Sequence, residues 1–466
     1  MALKLYNTLH REIEEFKPVS WNIVNLYTCG PTVYDSAHIG NLRSYIFADV
    51  LRRALKYNGY KVNWVMNITD IDDKTIKRTV DKYGHKATPK ELREYTDKYF
   101  EEFKKDLKAV NVPTDPENIT FIKVSDKIEE IKDFIKELMK DGFAYKTDDG
   151  VYFSIEKYQK KFGDYGDLVG EDFLKGKKTG ARVKVDEYEK ENLSDFALWK
   201  KRDESDGNIF WEDEELGEGR PGWHIECSAI NKIAFGGAPT DVHTGGIDLV
   251  FPHHTNEIAQ SQPIYKPFVN HWSHCEHLLV DGKKMAKSAG NFYTLKDLEK
   301  EIPDAGIAFR YLTLQTNYRS QMNFTMDALV GAKSALEHLR KERFDNSFPN
   351  MVSAHERLLK EFEKNINDNL NTAELLGNLW GLITYKTVDT DFDQIDHLAN
   401  DVLGIGFLAP AKKAKIPLKI KELADKREEC RRNEQFIEAD RLRKEIYALG
   451  FIVEDTPEGQ AIRPKK

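Results

Sequence analysis

The chain has 466 residues, 40% apolar and 32% charged, with a formal net charge of −8. It contains no run of about 18 apolar residues, which excludes a membrane-spanning helix. The N-terminal stretch MALKLYNTLHREIEEFKP has no secretory h-region, so a cytoplasmic location is expected. Four cysteines (Cys29, Cys227, Cys275, Cys430) in so long a chain argue against a disulfide framework and for metal binding or catalysis.

In chain order, residues 22–29 (NIVNLYTC) run apolar and read as a strand. Residues 41–57 read as a helix, with Leu42, Ile46, Val50 and Ala54 recurring every four positions and Leu51 and Leu55 beside them. Asn58-Gly59 supplies a stop signal. Residues 61–68 (KVNWVMNI) read as the next strand, giving the strand–helix–strand opening of a parallel α/β sheet. The connection GPTVYDSAHIG ends at a helix N-terminus, where backbone N–H groups and the helix dipole favour phosphate. Gly40 permits close backbone approach there, and the His38 imidazole is placed to donate to a phosphate oxygen.

Residues 88–110 and 125–142 read as amphipathic helices. Short strand-like segments rich in Gly and Lys follow at 150–200 and suggest an insertion into the sheet domain. The sheet pattern resumes near 220–250 and at 276–281 (EHLLVD). Seven of the thirteen histidines fall within 224–277. In FPHHTNEIAQ, His253 and Glu257 stand four apart, on one face of a helix. With Cys227 and Cys29 they make two thiolates, one imidazole and one carboxylate, a mixed set that suits zinc. The four come from three segments, and His254 is an alternative to His253.

LLVDGKKMAKSAGNF places a turn at Asp281-Gly282 before a loop carrying Lys284 and Lys287. Two lysines three apart can close over a polyphosphate as point charges. From about 325 the pattern is almost wholly helical. AKKAKIP (411–417) reads as a linker. A basic helix pair follows, then a hairpin with its turn at Thr456–Gly459. Residues 411–447 hold twelve Lys/Arg against eight Asp/Glu, so an acidic chain carries a locally basic end. Lys426, Arg427, Arg431, Arg432, Arg441 and Arg443 are the candidates there for phosphate contacts.

Taken together, CGPTVYDSAHIGN, NITDIDDK, GRPGWHIECSAI, FPHHTNEIAQ, HLLVDGKKMAKSAGNF and FIEADRLRKEIYALGFIVEDTPEGQAIR resemble the cysteinyl-tRNA synthetase family of class I aminoacyl-tRNA synthetases. The resemblance runs from about residue 20 to the C-terminus. It implies a Rossmann-type parallel-sheet catalytic domain over 1–324, with an insertion at about 113–200 and the lysine-loop region at about 276–324. A helical tRNA-binding bundle over 325–410 and a small α+β anticodon-binding module over 411–466 would follow. It implies one Zn²⁺ per chain held by Cys29, Cys227, His253 and Glu257, and a substrate thiol that binds that zinc. Thr69, Trp223, His243 and Asp248 match cysteine-pocket positions. His38, Gly40, Asn41, Lys284 and Lys287 match the two ATP motifs. The implied partners are ATP with Mg²⁺, L-cysteine and tRNA(Cys), and the expected state is a monomer.

Three positions depart from the family pattern. Asn41 replaces the last His of the first motif, and Ala286 replaces the first Ser of the second. Thr244 stands where glycine is usual, which is poorly tolerated if the backbone there needs a positive φ. Cys275 has no assigned role. A cysteine ligase of mycothiol synthesis would share the zinc pocket and both ATP motifs but lack the C-terminal module. A non-catalytic RNA-binding paralogue would have a broken zinc set or no Lys287.

Overall fold

A computed structural model describes residues 2–163, 165–170, 178–183, 192–285, 290–343, 352–385, 391–406, 417–433, 435–456 and 459–464. Only the elements that build the site are numbered below. Five strands, β1 (Ile23–Thr28), β2 (Lys61–Ile68), β3 (Thr120–Lys123), β4 (Thr240–Gly246) and β5 (Val269–Cys275), form one sheet in the order β5-β4-β1-β2-β3. Every neighbouring pair is parallel. A parallel sheet is covered on both faces, so its strands are apolar without alternation. Accordingly Val24, Leu26 and Tyr27 of β1 and Trp64, Val65, Met66 and Ile68 of β2 are buried. The chain extends the sheet from β1 to β2 to β3, then returns to place β4 on the other side of β1. The crevice past the C-terminal ends of β1 and β4 is therefore the topological switch point, where open α/β sheets bind ligands.

Helix α1 (Ile39–Tyr57) joins β1 to β2, and its apolar stripe at Leu42, Ile46, Val50, Ala54, Leu51 and Leu55 is buried. Asn58 caps it, and Gly59 follows at φ 86°. On the same helix, Asp49 is fully buried and accepts ion pairs from Arg52 (2.9 Å), Arg53 (2.6 Å) and Arg310 (2.8 Å). Arg310 also donates to Leu403 O, and Arg53 to Asn400 O, which ties the later helical segments to α1.

The stretch expected to begin the insertion at about 113 first supplies the edge strand β3, and the chain leaves the parallel sheet only after Lys123. A second sheet then forms from Ala144–Thr147, Gly150–Phe153, Asn192–Lys201 and Gly219–Pro221, antiparallel among themselves, with Lys178–Val183 pairing parallel to Asn192–Lys201. One apolar cluster spans both sheets, from Tyr27 and Val65 to Phe153, Phe196 and Trp199, and it includes both Cys29 and Cys227. Helices α2 (Trp223–Ala234) and α3 (Thr255–Ser261) return the chain to the main sheet.

After β5, Leu278–Val280 pairs antiparallel with Lys283–Lys284 and parallel with Met322–Phe324. Its two-residue turn has Asp281 at φ 50° and Gly282 at φ 74°, the paired positive values that a twisted hairpin requires. Helices Met326–Arg343, Val352–Asn367 and Thr372–Thr384 belong to the same compact unit as the sheets, which ends at Ile405. A second compact unit begins at Gly406. It holds helices Leu418–Arg432 and Phe436–Ala448 and an antiparallel hairpin whose Thr456 faces Gly459. Its core is Ile420, Ala424, Ile446 and Val453. Arg427 does not lie on the basic face: it is 1% exposed and donates to Gln460 Oε1 at 3.3 Å. It follows the core residue Ala424 by three positions, so the helical period turns it inward, where its aliphatic stem covers apolar surface.

Candidate active site

Cys29 follows the last residue of β1, and Gly30 follows it. A side chain at Gly30 would meet Asn67 O at 1.7 Å, so only glycine lets β1 turn here against β2. The turn leads into the loop 31–37 and then to His38, the N-cap of α1. Asn41 N donates to His38 Nδ1 and His38 N donates to Asn41 Oδ1, both at 3.2 Å. This reciprocal cap satisfies two of the N–H groups that a helix start leaves open. It gives Asn41 a definite task in a position where the family pattern has His, and it fixes the imidazole by its Nδ1 edge.

The two motif strings, the first at His38–Asn41 and the second at Lys284–Ser288, come together through the flanks of the second. Ile39 N donates to Tyr293 O (3.0 Å), His38 and Thr294 form an antiparallel bridge, and the Phe292 ring meets His38 edge-on at 5.2 Å. A Cβ on Gly40 would stand 2.7 Å from Met285 Cε, so Met285 packs directly over Gly40. One cleft is lined by Cys29, Gly30, His38, Gly40 and Asn41 from the first string, by Trp223, Gly246 and Asp248, and by Lys284 and Met285 from the second. Lys287 lies outside the described residues, as do Ala286 and Ser288. Lys74 and Tyr34 also line the cleft, with the Lys74 ammonium 5.8 Å from the Tyr34 ring centre; they lie within NITDIDDK and CGPTVYDSAHIGN, where the sequence reading assigned neither a role.

At the inner end of the cleft the histidine-rich segment closes on Cys29. Cys29 Sγ lies 3.8 Å from Cys227 Sγ and 3.6 Å from Glu257 Oε1. His253 Nε2 lies 3.1 Å from Glu257 Oε1. Zinc–sulfur bonds of about 2.3 Å at tetrahedral angles put two sulfurs about 3.8 Å apart; oxygen and nitrogen ligands at about 2.1 Å give sulfur–oxygen edges near 3.6 Å and nitrogen–oxygen edges near 3.4 Å. The four donor atoms, all buried and within 4.8 Å of one another, therefore fit a four-donor zinc site. Cys29 and Glu257 also form such a group with His243 and His254. That second set has a single thiol. His243 Nε2 already meets Glu257 Oε2 at 2.9 Å, and His254 Nδ1 meets His274 Nε2 at 2.7 Å. His254 Nε2 stands 3.3 Å from Cys29 Sγ. The first set is the better zinc site, with His243 and His254 bracing its ligands.

The electrostatics suit a cation. Burial pushes the Glu257 carboxyl up, but His243 and His253 outweigh it and hold it at about 2. Burial alone would lower His253; Cys227 and Glu257 reverse that and raise it to about 10. Burial, Cys227 and Glu257 all push the Cys29 thiol up. Burial also works against the Cys227 thiolate, and contact with Cys29 and His253 overcomes it, bringing Cys227 to about 6.

The remaining sequence candidates fall in two places. Trp223 stacks on His253 with ring centres 4.4 Å apart, and Asp248 is exposed at the strand end, so both face the cleft. A Cβ on Gly246 would come within 2.5 Å of Asp248 Oδ1, so the glycine makes room for that carboxylate. Thr69 and His243 are buried behind the cleft wall. Thr69 Oγ1 donates to Glu226 Oε2 at 3.1 Å and accepts from Asn67 Nδ2. Thr244 is not at a positive φ. It sits in β4 opposite Thr28, with the two hydroxyls 2.7 Å apart, so the β-branched residue is at home in an extended strand.

Residues 15–334 match the family described as tRNA synthetases class I (C) catalytic domain. Similarity extends over nearly the whole chain to cysteine–tRNA ligases. The one from Brachyspira hyodysenteriae is 41% identical, with 97% of this chain and 98% of that protein covered. The one from Leptospira interrogans is 40% identical with full coverage of both. The chain belongs to the cysteinyl-tRNA synthetase family. Among solved structures, methionyl-tRNA synthetase from Mycobacterium tuberculosis in complex with methionyl-adenylate superposes with a TM-score of 0.55 at 13% identity, over 82% of this chain and 88% of that one. This likeness shows the shared class I fold. No helix among the described residues is long and apolar enough to cross a membrane. Within the family frame, the histidine crowding at 224–277 has a physical meaning: His224, His243, His253, His254 and His274, five of those seven, are buried in or beside one donor cluster.

Proposed function

We propose that this protein attaches L-cysteine to tRNA(Cys) through a cysteinyl-adenylate, as a cytoplasmic monomer using ATP with Mg²⁺. The observation that carries the reading is the single cleft in which Cys29 stands at one end and His38, Gly40 and Lys284 at the other. The amino-acid carboxylate would attack the α-phosphorus of ATP, with pyrophosphate leaving. The terminal ribose hydroxyl of the tRNA would then attack the adenylate carbonyl, with AMP leaving. The chain's part in the first step is positioning and charge. Gly40 and the start of α1 accept the phosphates, His38 donates from its Nε2 edge, and Lys284 with Lys287 balances the charge that develops on them. Asp248 takes the substrate α-amino group. Trp223 walls the cysteine side chain, and Thr69 and His243 support that wall from behind.

Zinc held by Cys29, Cys227, His253 and Glu257 would give the substrate thiol a soft partner that a hydroxyl satisfies poorly, a distinction that an apolar pocket draws badly. The proposed domain roles are catalysis by residues 1–324, tRNA binding by 325–410, and anticodon binding by 411–466. The test is cysteine-dependent ATP–pyrophosphate exchange with serine as the control, followed by charging of bulk tRNA. Exchange with cysteine but not serine, and then charging, is expected. No exchange by the zinc-loaded protein would sink the reading, and exchange without charging would favour the mycothiol-type ligase. Cys227→Ser should bring bound zinc below about a tenth of an ion per chain by metal analysis; full zinc content in that variant would remove Cys227 from the ligand set.

A further inference from the structure

Arg43 lies on α1, five residues beyond His38, and is 3% exposed. Buried arginines elsewhere in this unit share a carboxylate: Arg52 and Arg310 both pair with Asp49. Arg43 has none within ion-pair distance among the described residues. Its Nη1 donates to Glu276 O and His277 O, both at 2.7 Å, and its Nη2 donates to Asn317 O at 3.3 Å and Ser320 O at 2.7 Å. A buried charge with no ion pair in contact is costly to keep; the Glu276 carboxylate favours it from beyond contact distance, and four carbonyls satisfy its N–H groups directly.

Those four carbonyls belong to two segments with one destination. Glu276 and His277 line the cleft and lead directly into Leu278–Val280, whose hairpin partner carries Lys284. Asn317 and Ser320 lead into Met322–Phe324, the parallel neighbour of Leu278–Val280. The two segments are also stitched to each other, Glu276 N to Tyr318 O at 2.8 Å and Met322 N to His277 O at 3.1 Å. One guanidinium on the His38 helix thus grips two of the three strands of the small sheet at their starting points.

We propose that Arg43 is a positioning residue for ATP: it holds the lysine-loop sheet at a set distance from the helix that begins at His38. The inference rests on the reading that the two strings share one ATP. The planar fork is essential to it. Two nitrogens serve two chain segments at once, which the single nitrogen of lysine cannot do.

The test uses the full chain carrying Arg43→Lys or Arg43→Met. Zinc content and cysteine affinity without ATP should match the parent protein, because every zinc donor lies on other elements. The ATP dissociation constant by calorimetric titration, and KM for ATP in pyrophosphate exchange, should rise about tenfold or more in both variants, with KM for cysteine unchanged. A merely structural role would lower folded yield, zinc content and cysteine affinity together and leave ATP affinity per folded molecule untouched; that pattern, or parent-like ATP affinity, overturns the inference. If the parent protein shows no cysteine-dependent exchange, the synthetase reading fails, and the ATP titration still reads Arg43 by itself.

Discussion

Asp49 shows how much one side chain carries. It is buried on α1 among Arg53, Arg310 and Arg52, with three short ion pairs. Burial opposes its charge, but the three guanidiniums outweigh that and hold its carboxyl well below the usual range. The sign of the pH dependence follows. A depressed folded-state pKa contributes stability that is fully present above the unfolded value of about 3.9 and is lost as pH falls toward the folded value. Asp49→Asn should therefore cost about 3–5 kcal/mol at neutral pH, because three buried cations lose their shared partner. The penalty should shrink as pH drops below about 4, where the unfolded parent chain takes up the proton that the folded site still excludes. Urea unfolding at pH 7 and at pH 3 measures both; a penalty that stays constant between them would show that Asp49 charge is not what the site uses. Arg43 is the contrasting case, a buried cation whose direct hydrogen-bond partners are carbonyls and not a carboxylate, and the contrast is what singles it out.

At the scale of the element, the start of α1 joins stability to function. The His38–Asn41 cap is two hydrogen bonds at 3.2 Å. Asn41→Ala should cost about 1 kcal/mol in unfolding free energy, the usual worth of a cap. It should also slow pyrophosphate exchange, because the His38 backbone N–H loses its acceptor and the turn that carries the ring is held less firmly, although the backbone bond from residue 41 to the ring remains. Asn41→Asp keeps an accepting oxygen and adds an anion that a helix N-terminus favours, so it should recover the stability. It should not recover exchange, since the same anion faces the phosphates. Parallel recovery of both properties in Asn41→Asp would mean that Asn41 matters only as a cap. The helix itself was legible from its apolar period, as were β1, β2, the Asp281–Gly282 turn and the C-terminal hairpin, because each is encoded by near neighbours. The cap was not, since His is a rare N-cap and Asn41 draws notice only as a missing His. Likewise His253 and His254 both point into the cluster, and spacing alone cannot divide ligand from brace. That division depends on His243 and His274, which arrive from other strands.

Across the whole molecule, the site residues that the structure describes, from Cys29 to Lys284, lie in the unit that ends at Ile405, and the locally basic stretch lies in the other. That separation was visible as a charge shift at 411–447, whereas the burial of Arg427 was not, because it depends on which face of the helix meets Ile446 and Val453. Lys426, Arg431, Arg432, Arg441 and Arg443 remain exposed. Arg441 is shared with Glu438 at 2.7 Å and Glu445 at 3.7 Å, and Arg432 with Glu428 at 3.7 Å. Exposed pairs of this kind are worth little, so a phosphate can displace them at small cost. If this face holds tRNA, then charging and adenylate formation should separate cleanly. A chain ending at Ile405 should keep zinc and cysteine-dependent exchange, because no donor and no described cleft residue is removed. Its kcat/KM for tRNA should fall by about a hundredfold or more, the loss expected when several phosphate contacts go. In the full chain, raising salt should increase KM for tRNA along a straight log–log line while changing exchange much less, since ATP offers the cleft only a few phosphate charges and tRNA offers the basic face many. Charging by the shortened chain at the full rate would take the second unit out of tRNA binding and leave its basic face as ordinary solvated surface.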